Sequence, residues 1–154
     1  MSTDSFQLDK VDKTDRTDQK TVLIAVTDIF FYTKVRDALL PQGYRLEKAR
    51  SQSDIADKAA GTNPVAVILD MNDQLLDAFE ALTTLKADAR LKTIPTLAFA
   101  NHEEVDTWNR AKALGITKIV SRNEFSSRTK GLMEEMIANS GQPSAVSPEM
   151  KAER

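Results

Sequence analysis

The sequence predicts an α/β domain built on a doubly wound, five-stranded parallel sheet. Two observations carry this. The runs TVLIAVTD (21–28), VAVILD (65–70) and PTLAFA (95–100) are almost continuously apolar and rich in β-branched residues, as strands covered on both faces must be. Between them lie segments with helical apolar spacing and short connections, and strict alternation of strand and helix implies parallel strands joined by helical crossovers.

Each element has its own signal. TVLIAVTD (21–28) opens the order as a buried strand. In FFYTKVRDALL (30–40), Phe31, Val35, Ala38 and Leu39 fall on one helical stripe, ended by Pro41 and Gly43. YRLEKA (44–49) alternates and suits an edge strand. Ser51 or Ser53 can cap a short helix closed by Gly61. VAVILD (65–70) follows as a buried strand. Leu75, Leu76, Phe79, Leu82 and Leu85 place one stripe on a helix over 75–88. Pro95 opens the next strand, where a strand tolerates it. A helix is expected over 102–115, ending at Gly115, then a strand over 117–121. The last helix is expected over 123–139, with Asn123 as its cap and Gly131 as a weak point. Phe30, Phe31 and Tyr32 cannot all face inward on one helix, so a ring is expected at the surface or over the site mouth.

Residues 1–20 are expected to be a disordered tail: Asp9, Asp12, Asp15 and Asp18 alternate with basic residues, and large apolar residues are few. Residues 140–154, with Gly141, Pro143 and Pro148, are expected to be a second flexible tail. One domain over 21–139 remains.

Composition narrows the function. The chain has 154 residues and no cysteine, which excludes disulfides, a thiolate nucleophile and cysteine-ligated zinc. A net charge of −2 gives no electrostatic case for nucleic acid. No apolar run approaches the ~20 residues of a membrane span, and the polar N-terminus is unlike a signal peptide. A cytoplasmic location is expected. There is no glycine-rich phosphate loop and no evident Ser-His-Asp set. His102, the one histidine, reads as a loop residue.

Right-handed crossovers favour strand order 2-1-3-4-5, and in such sheets function gathers at the carboxyl ends of the central strands. That topology selects Thr27 and Asp28, Asp70 to Asn72, Ala100 and Asn101, and Ser121 and Arg122 for inspection. Asp28 and Asp70 should lie close together. Paired carboxylates open to water suit Mg²⁺, or one of them can serve as a nucleophile, with Arg122 supplying positive charge. The plainer alternative is that each aspartate satisfies loop amides at a strand end. Trp108 is either a partner anchor at the surface or ordinary core.

The run LKADARLKTIPTLAFA (85–100) is similar to the passage from the third helix to the fourth strand of response-regulator receiver domains. From about 21 to 138 the chain resembles that family, whose fold is flavodoxin-like and which includes single-domain chemotaxis regulators. Asp77-Ala78 stands where the family often has Asp-Gly. The resemblance implies that Asp70 is the acceptor of phosphate from a histidine kinase. It also implies that Asp28, Asp70 and the backbone carbonyl of Asn72 hold Mg²⁺, and that Arg122 is the phosphate contact.

Departures from the family pattern cluster at this site. Thr27 replaces one of the paired acids after strand 1, which should weaken Mg²⁺ binding. Ala100 lacks the hydroxyl that ends strand 4, and Ile119 replaces the switch aromatic. Arg122-Asn123 replaces Lys-Pro, and a planar fork is not a compact ammonium. Gln74 replaces the usual proline. The resemblance therefore implies a stand-alone, atypical receiver with an impaired switch and no enzymatic activity. Its partners would be proteins, a histidine kinase or a downstream signalling protein, meeting a surface formed by helix 4, strand 5 and helix 5. Two other readings stay open: a pseudo-receiver adaptor that is never phosphorylated, and a flavodoxin-like binder of a cofactor or small molecule. The sequence leaves the oligomeric state open.

Overall fold

A computed structural model describes residues 20–140. Its strands are β1 (Thr21–Ala25), β2 (Arg45–Lys48), β3 (Ala66–Asp70), β4 (Thr96–Ala100) and β5 (Lys118–Ser121). They form one sheet in the order β2-β1-β3-β4-β5, every pair parallel, which is the expected topology. The helices are α1 (Ile29–Leu39), α2 (Gln52–Thr62), α3 (Ala78–Ala87), α4 (Val105–Ala113), α5 (Arg122–Ser127) and α6 (Thr129–Ser140), with a 3₁₀ turn at Leu40–Gln42. The expected tails lie outside the described residues, apart from Lys20 and Ser140.

The pleat divides the core in two. Leu23, Ala25, Val67, Leu69 and Ala98 face α2, α3 and α4 through Ile55, Leu82, Leu85 and Ala111. Val22, Ile24, Ile68, Leu97 and Phe99 face α1, α5 and α6 through Phe31, Val35, Phe125, Leu132 and Met136. Because both faces of β1, β3 and β4 are covered, every residue of those strands is buried, which explains their unbroken apolar runs. β2 is an edge and is only half covered.

Several element ends differ from expectation. Ser51 is the cap of α2, accepting from the Asp54 amide, but the helix runs past Gly61 to Thr62 and ends on Asn63 in the left-handed conformation, φ 49°. α3 starts at Ala78, because Asp77 caps it by accepting from the Glu80 amide. Leu75 therefore falls outside the helix and is 77% exposed, whereas Leu76 is buried. The last helix begins earlier than expected, capped by Ser121 rather than Asn123. It is interrupted at Arg128, not at Gly131. Hydroxyls back-bond on both sides of the interruption: Ser126, Ser127 and Thr129 donate to the carbonyls of Asn123, Glu124 and Phe125, a pattern that often accompanies a helix bend. Phe125, Thr129, Leu132, Met133 and Met136 nonetheless stay on one buried face.

An aromatic cluster lies under the carboxyl ends of β3 and β4. Phe31 stacks on Phe99 with centroids 4.6 Å apart, and Phe99 meets Phe125 at 4.4 Å. Phe30 is the ring left outside, 56% exposed. Removing Phe125, which is fully buried, should lower unfolding free energy by about 3–5 kcal/mol in Phe125→Ala. Urea denaturation would show this as a lower midpoint with an unchanged slope.

Candidate functional site

The topology delivers Asp70 and Arg122 to one place. Asp70 ends β3 opposite Phe99 in the β4 register, so both side chains lie on the α1/α5/α6 face. Arg122 follows β5 as the first residue of α5, fixed there by the Ser121 cap. Its guanidinium lies over Phe31 at 4.5 Å and over Phe99 at 5.0 Å from the ring centroids. From that floor Nη1 donates to Asp70 Oδ1 at 2.6 Å, while Nη2 lies 3.6 Å from Asp28 Oδ2. The expected convergence of Asp28, Asp70 and Arg122 is present, with the arginine between the acids.

Asp70 is only 2% exposed. Burial pushes its carboxyl above the ordinary value of 3.8. The Asn72 amide, donating to Oδ1 at 2.9 Å, and Arg122 pull it back, and the charge of Asp73 adds to the rise. Among the described residues none donates to Asp70 Oδ2.

Asp28 does not end a strand, since β1 stops at Ala25. It caps α1, with Oδ1 accepting from the amides of Phe30 and Phe31, so the plainer loop-capping role holds for it alongside the contact with Arg122. Thr27 turns to Asp73, a residue that sequence reasoning missed. Its amide donates to Asp73 Oδ2 at 2.7 Å and its hydroxyl to both carboxylate oxygens at 2.9 Å. Asp73 Oδ1 also accepts from the amides of Leu75 and Leu76. The signal was an aspartate just ahead of an apolar pair, the pattern of an Asx turn.

Asn72 is engaged through its side chain as well as its amide. Its Oδ1 accepts from the Asn101 amide at 2.9 Å and its Nδ2 donates to Glu104 at 2.7 Å. Those amide donors, Asn72 first and then Asn101, hold the Glu104 carboxyl below its ordinary range. The Trp108 indole donates to the Asn101 carbonyl at 3.0 Å, and the ring is half-buried against the α2/α3/α4 side of the core. Ala100 is fully buried. Ser121, its partner in the β5 register, caps α5, its Oγ accepting from the Glu124 amide at 3.0 Å. Ile119 packs half-buried against the same side of the core as Trp108. His102 is exposed in the loop before α4.

Thr27, Asp28, Asp70, Asn72, Asp73, Gln74, Leu75 and Arg122 line an open cleft of about 470 Å³. Mg²⁺ and Mn²⁺ require several oxygen ligands in a nearly octahedral set. Among the described residues, no group of three or more His, Asp or Glu side chains is placed to hold a metal ion. Asp28 and Asp70 have a guanidinium between them, and Asp73 is turned to Thr27 and its own loop. With Arg122 holding both Asp28 and Asp70, the side-chain donors do not fit a resident divalent cation.

No protein-family model and no curated protein matches the chain. Solved structures do match. The receiver domain of a signal transduction histidine kinase from Syntrophus aciditrophicus has a TM-score of 0.70 at 15% identity, covering 85% of this chain and 99% of that one. Chemotaxis response regulator CheY4 of Vibrio cholerae has a TM-score of 0.67 at 19% identity, covering 77% and 98%. The response regulator Rcp1, solved in an Mn²⁺-bound form, has a TM-score of 0.68 at 16% identity, covering 81% and 99%. The chain has the fold of CheY-like response-regulator receiver domains. Among the described residues no helix is long and apolar enough to cross a membrane.

The raised Asp70 carboxyl has a consequence for stability. Between 3.8 and its raised value the folded chain binds more protons at this group than the unfolded chain, so this group's contribution to stability is lost as pH rises through that window. Asp70→Asn lacks the loss. Its stability relative to the wild type should therefore increase as pH is raised from about 4 towards 8. Urea midpoints of both proteins across that range measure it, and a constant difference would contradict it.

Proposed function

We propose that the protein is a cytoplasmic receiver-type module of two-component signalling. It acts by protein contact, has no catalysis of its own, and presents its partner surface without phosphorylation of Asp70. One observation carries this reading: Asp70 is buried and already paired with Arg122, which also reaches Asp28. The charge that a phosphoryl group would draw to the mouth is in place beforehand. Ala100 has no hydroxyl to grasp such a group and Ile119 no ring to swing, so a phosphoryl group would find few differential contacts to move the fold with. A histidine kinase or downstream signalling protein would meet the surface formed by α4, β5 and the helices after it.

The second reading makes Asp70 a phosphoacceptor. It is favoured by the cleft at Asp70 and by Oδ2, which receives no donor from the described residues. In that case a carboxylate oxygen attacks the phosphorus of the donor, the donor's P–O bond breaks, and acetate leaves when the donor is acetyl phosphate. Arg122 would then pass from the carboxylate to the new phosphoryl oxygens. The cofactor-binding alternative gains no support from the loop after β1, where Thr27 and Asp28 are engaged by Asp73, helix amides and Arg122.

Intact-protein mass after incubation with acetyl phosphate and Mg²⁺ decides between the first two. The expected result is an unchanged mass for wild type and Asp70→Asn alike. A single phosphoryl adduct on the wild type that is absent from Asp70→Asn would establish the second reading instead.

A further inference from the structure

We infer that the Arg122 guanidinium is a built-in cation of the acid mouth: it occupies the position between Asp28 and Asp70 that a divalent metal ion would need, and a divalent site appears only when it is removed. This goes beyond the proposed function, because it holds whether or not Asp70 accepts a phosphoryl group.

The geometry supports it from three directions. The fork lies within 2.6 Å of Asp70 Oδ1 and 3.6 Å of Asp28 Oδ2, so one charge serves both acids. The arginine is not held by those acids alone. Its guanidinium rests on Phe31 and Phe99, its side chain is 23% exposed, and its backbone is fixed where α5 starts beside the Ser121 cap. Cation–π contact with a partly desolvated guanidinium adds to the ion pair. Asp73 lines the same cleft but is no substitute ligand, since Thr27 and the loop amides of Leu75 and Leu76 take both its oxygens.

A metal ion entering this mouth meets a charge that is never neutralised, because arginine stays protonated at any physiological pH. It has to displace the fork from Asp70, from Asp28 and from the two rings together. A compact ammonium on a flexible stem would yield more readily than a planar group stacked on aromatic faces.

The test is Mn²⁺ binding to the full chain, read from loss of the free-ion electron paramagnetic resonance signal with no phosphodonor present. Arg122→Met keeps an apolar stem over Phe31 and Phe99 and removes the charge. Arg122→Gln is the second variant should the first fail to give a cooperative melt. The wild type is expected to show no saturable site up to about millimolar Mn²⁺, the weak end of biological divalent sites. The variant is expected to gain one site at least about tenfold tighter, as removal of a unit charge within a few ångströms of a divalent ion requires. Adding Asp28→Asn should abolish the gain. The acidic residues before Lys20 are common to all these proteins and cancel in the comparison. Wild-type binding as tight as that of the variant would overturn the inference. So would a folded variant that binds no better than the wild type, or a gain that survives Asp28→Asn. None of these outcomes depends on whether Asp70 is phosphorylated.

Discussion

The ion pair between Asp70 and Arg122 is the contact on which the mouth of this sheet depends. Asp70 closes a strand whose every residue is buried, and an unpaired carboxylate at that depth costs several kcal/mol. Its partner arrives from the far side of the sheet, across β4, by way of β5 and the first residue of α5. The arm crosses an apolar floor made by Phe31 from α1 and Phe99 from β4, with Phe125 of α5 beneath. Core packing on this face and the electrostatics of the site are therefore one constraint. Three separate elements must be docked before the carboxylate is satisfied.

The surrounding loops are arranged to leave that pair undisturbed. With an acid at position 27 the chain would set a like charge against Asp73; threonine instead adds a hydroxyl donor to the backbone amide that already reaches it. The loop after β1 is thereby tied to the loop after β3. On the other side Asn72, Asn101 and Glu104 tie the loop after β3 to the start of α4, and Trp108 closes the circuit on the Asn101 carbonyl. These polar groups satisfy one another, and networks of that kind favour a single arrangement.

The fold was legible in the sequence because burial on both faces leaves an unmistakable apolar run, and β1, β3 and β4 each show one. The order of strands followed from handedness. The site was legible in its members but not in their contacts. Topology placed Asp28, Asp70 and Arg122 together, yet nothing in residue spacing shows that Arg122 rests on Phe31 and Phe99, since those rings come from two other elements. Asp73 was missed for a related reason: its partner Thr27 lies 46 residues away in the chain. Errors at helix ends had local causes. Helical spacing carried Leu75 into α3, but the Asp77 cap starts the helix later. The helix whose apolar stripe reads as unbroken is interrupted at Arg128, among the back-bonding hydroxyls of Ser126, Ser127 and Thr129.

A switch needs an element with two sets of contacts of similar free energy, and an input that favours one of them. The resemblance to receiver domains would place such an element at Ala100 and Ile119, and on the proposed reading those residues lack a second set of contacts. Ala100 is a buried methyl with no polar group to re-pair. Ile119 packs into the core and has no polar tip to draw it out. Ser121 Oγ accepts from the Glu124 amide as the cap of α5. Arg122 is the cation at this mouth, and its partners already include a buried carboxylate and two aromatic faces. Displacing it costs all of those contacts together. On the proposed reading a module built this way would hold one surface constant, and control over its output would fall to the partner it meets.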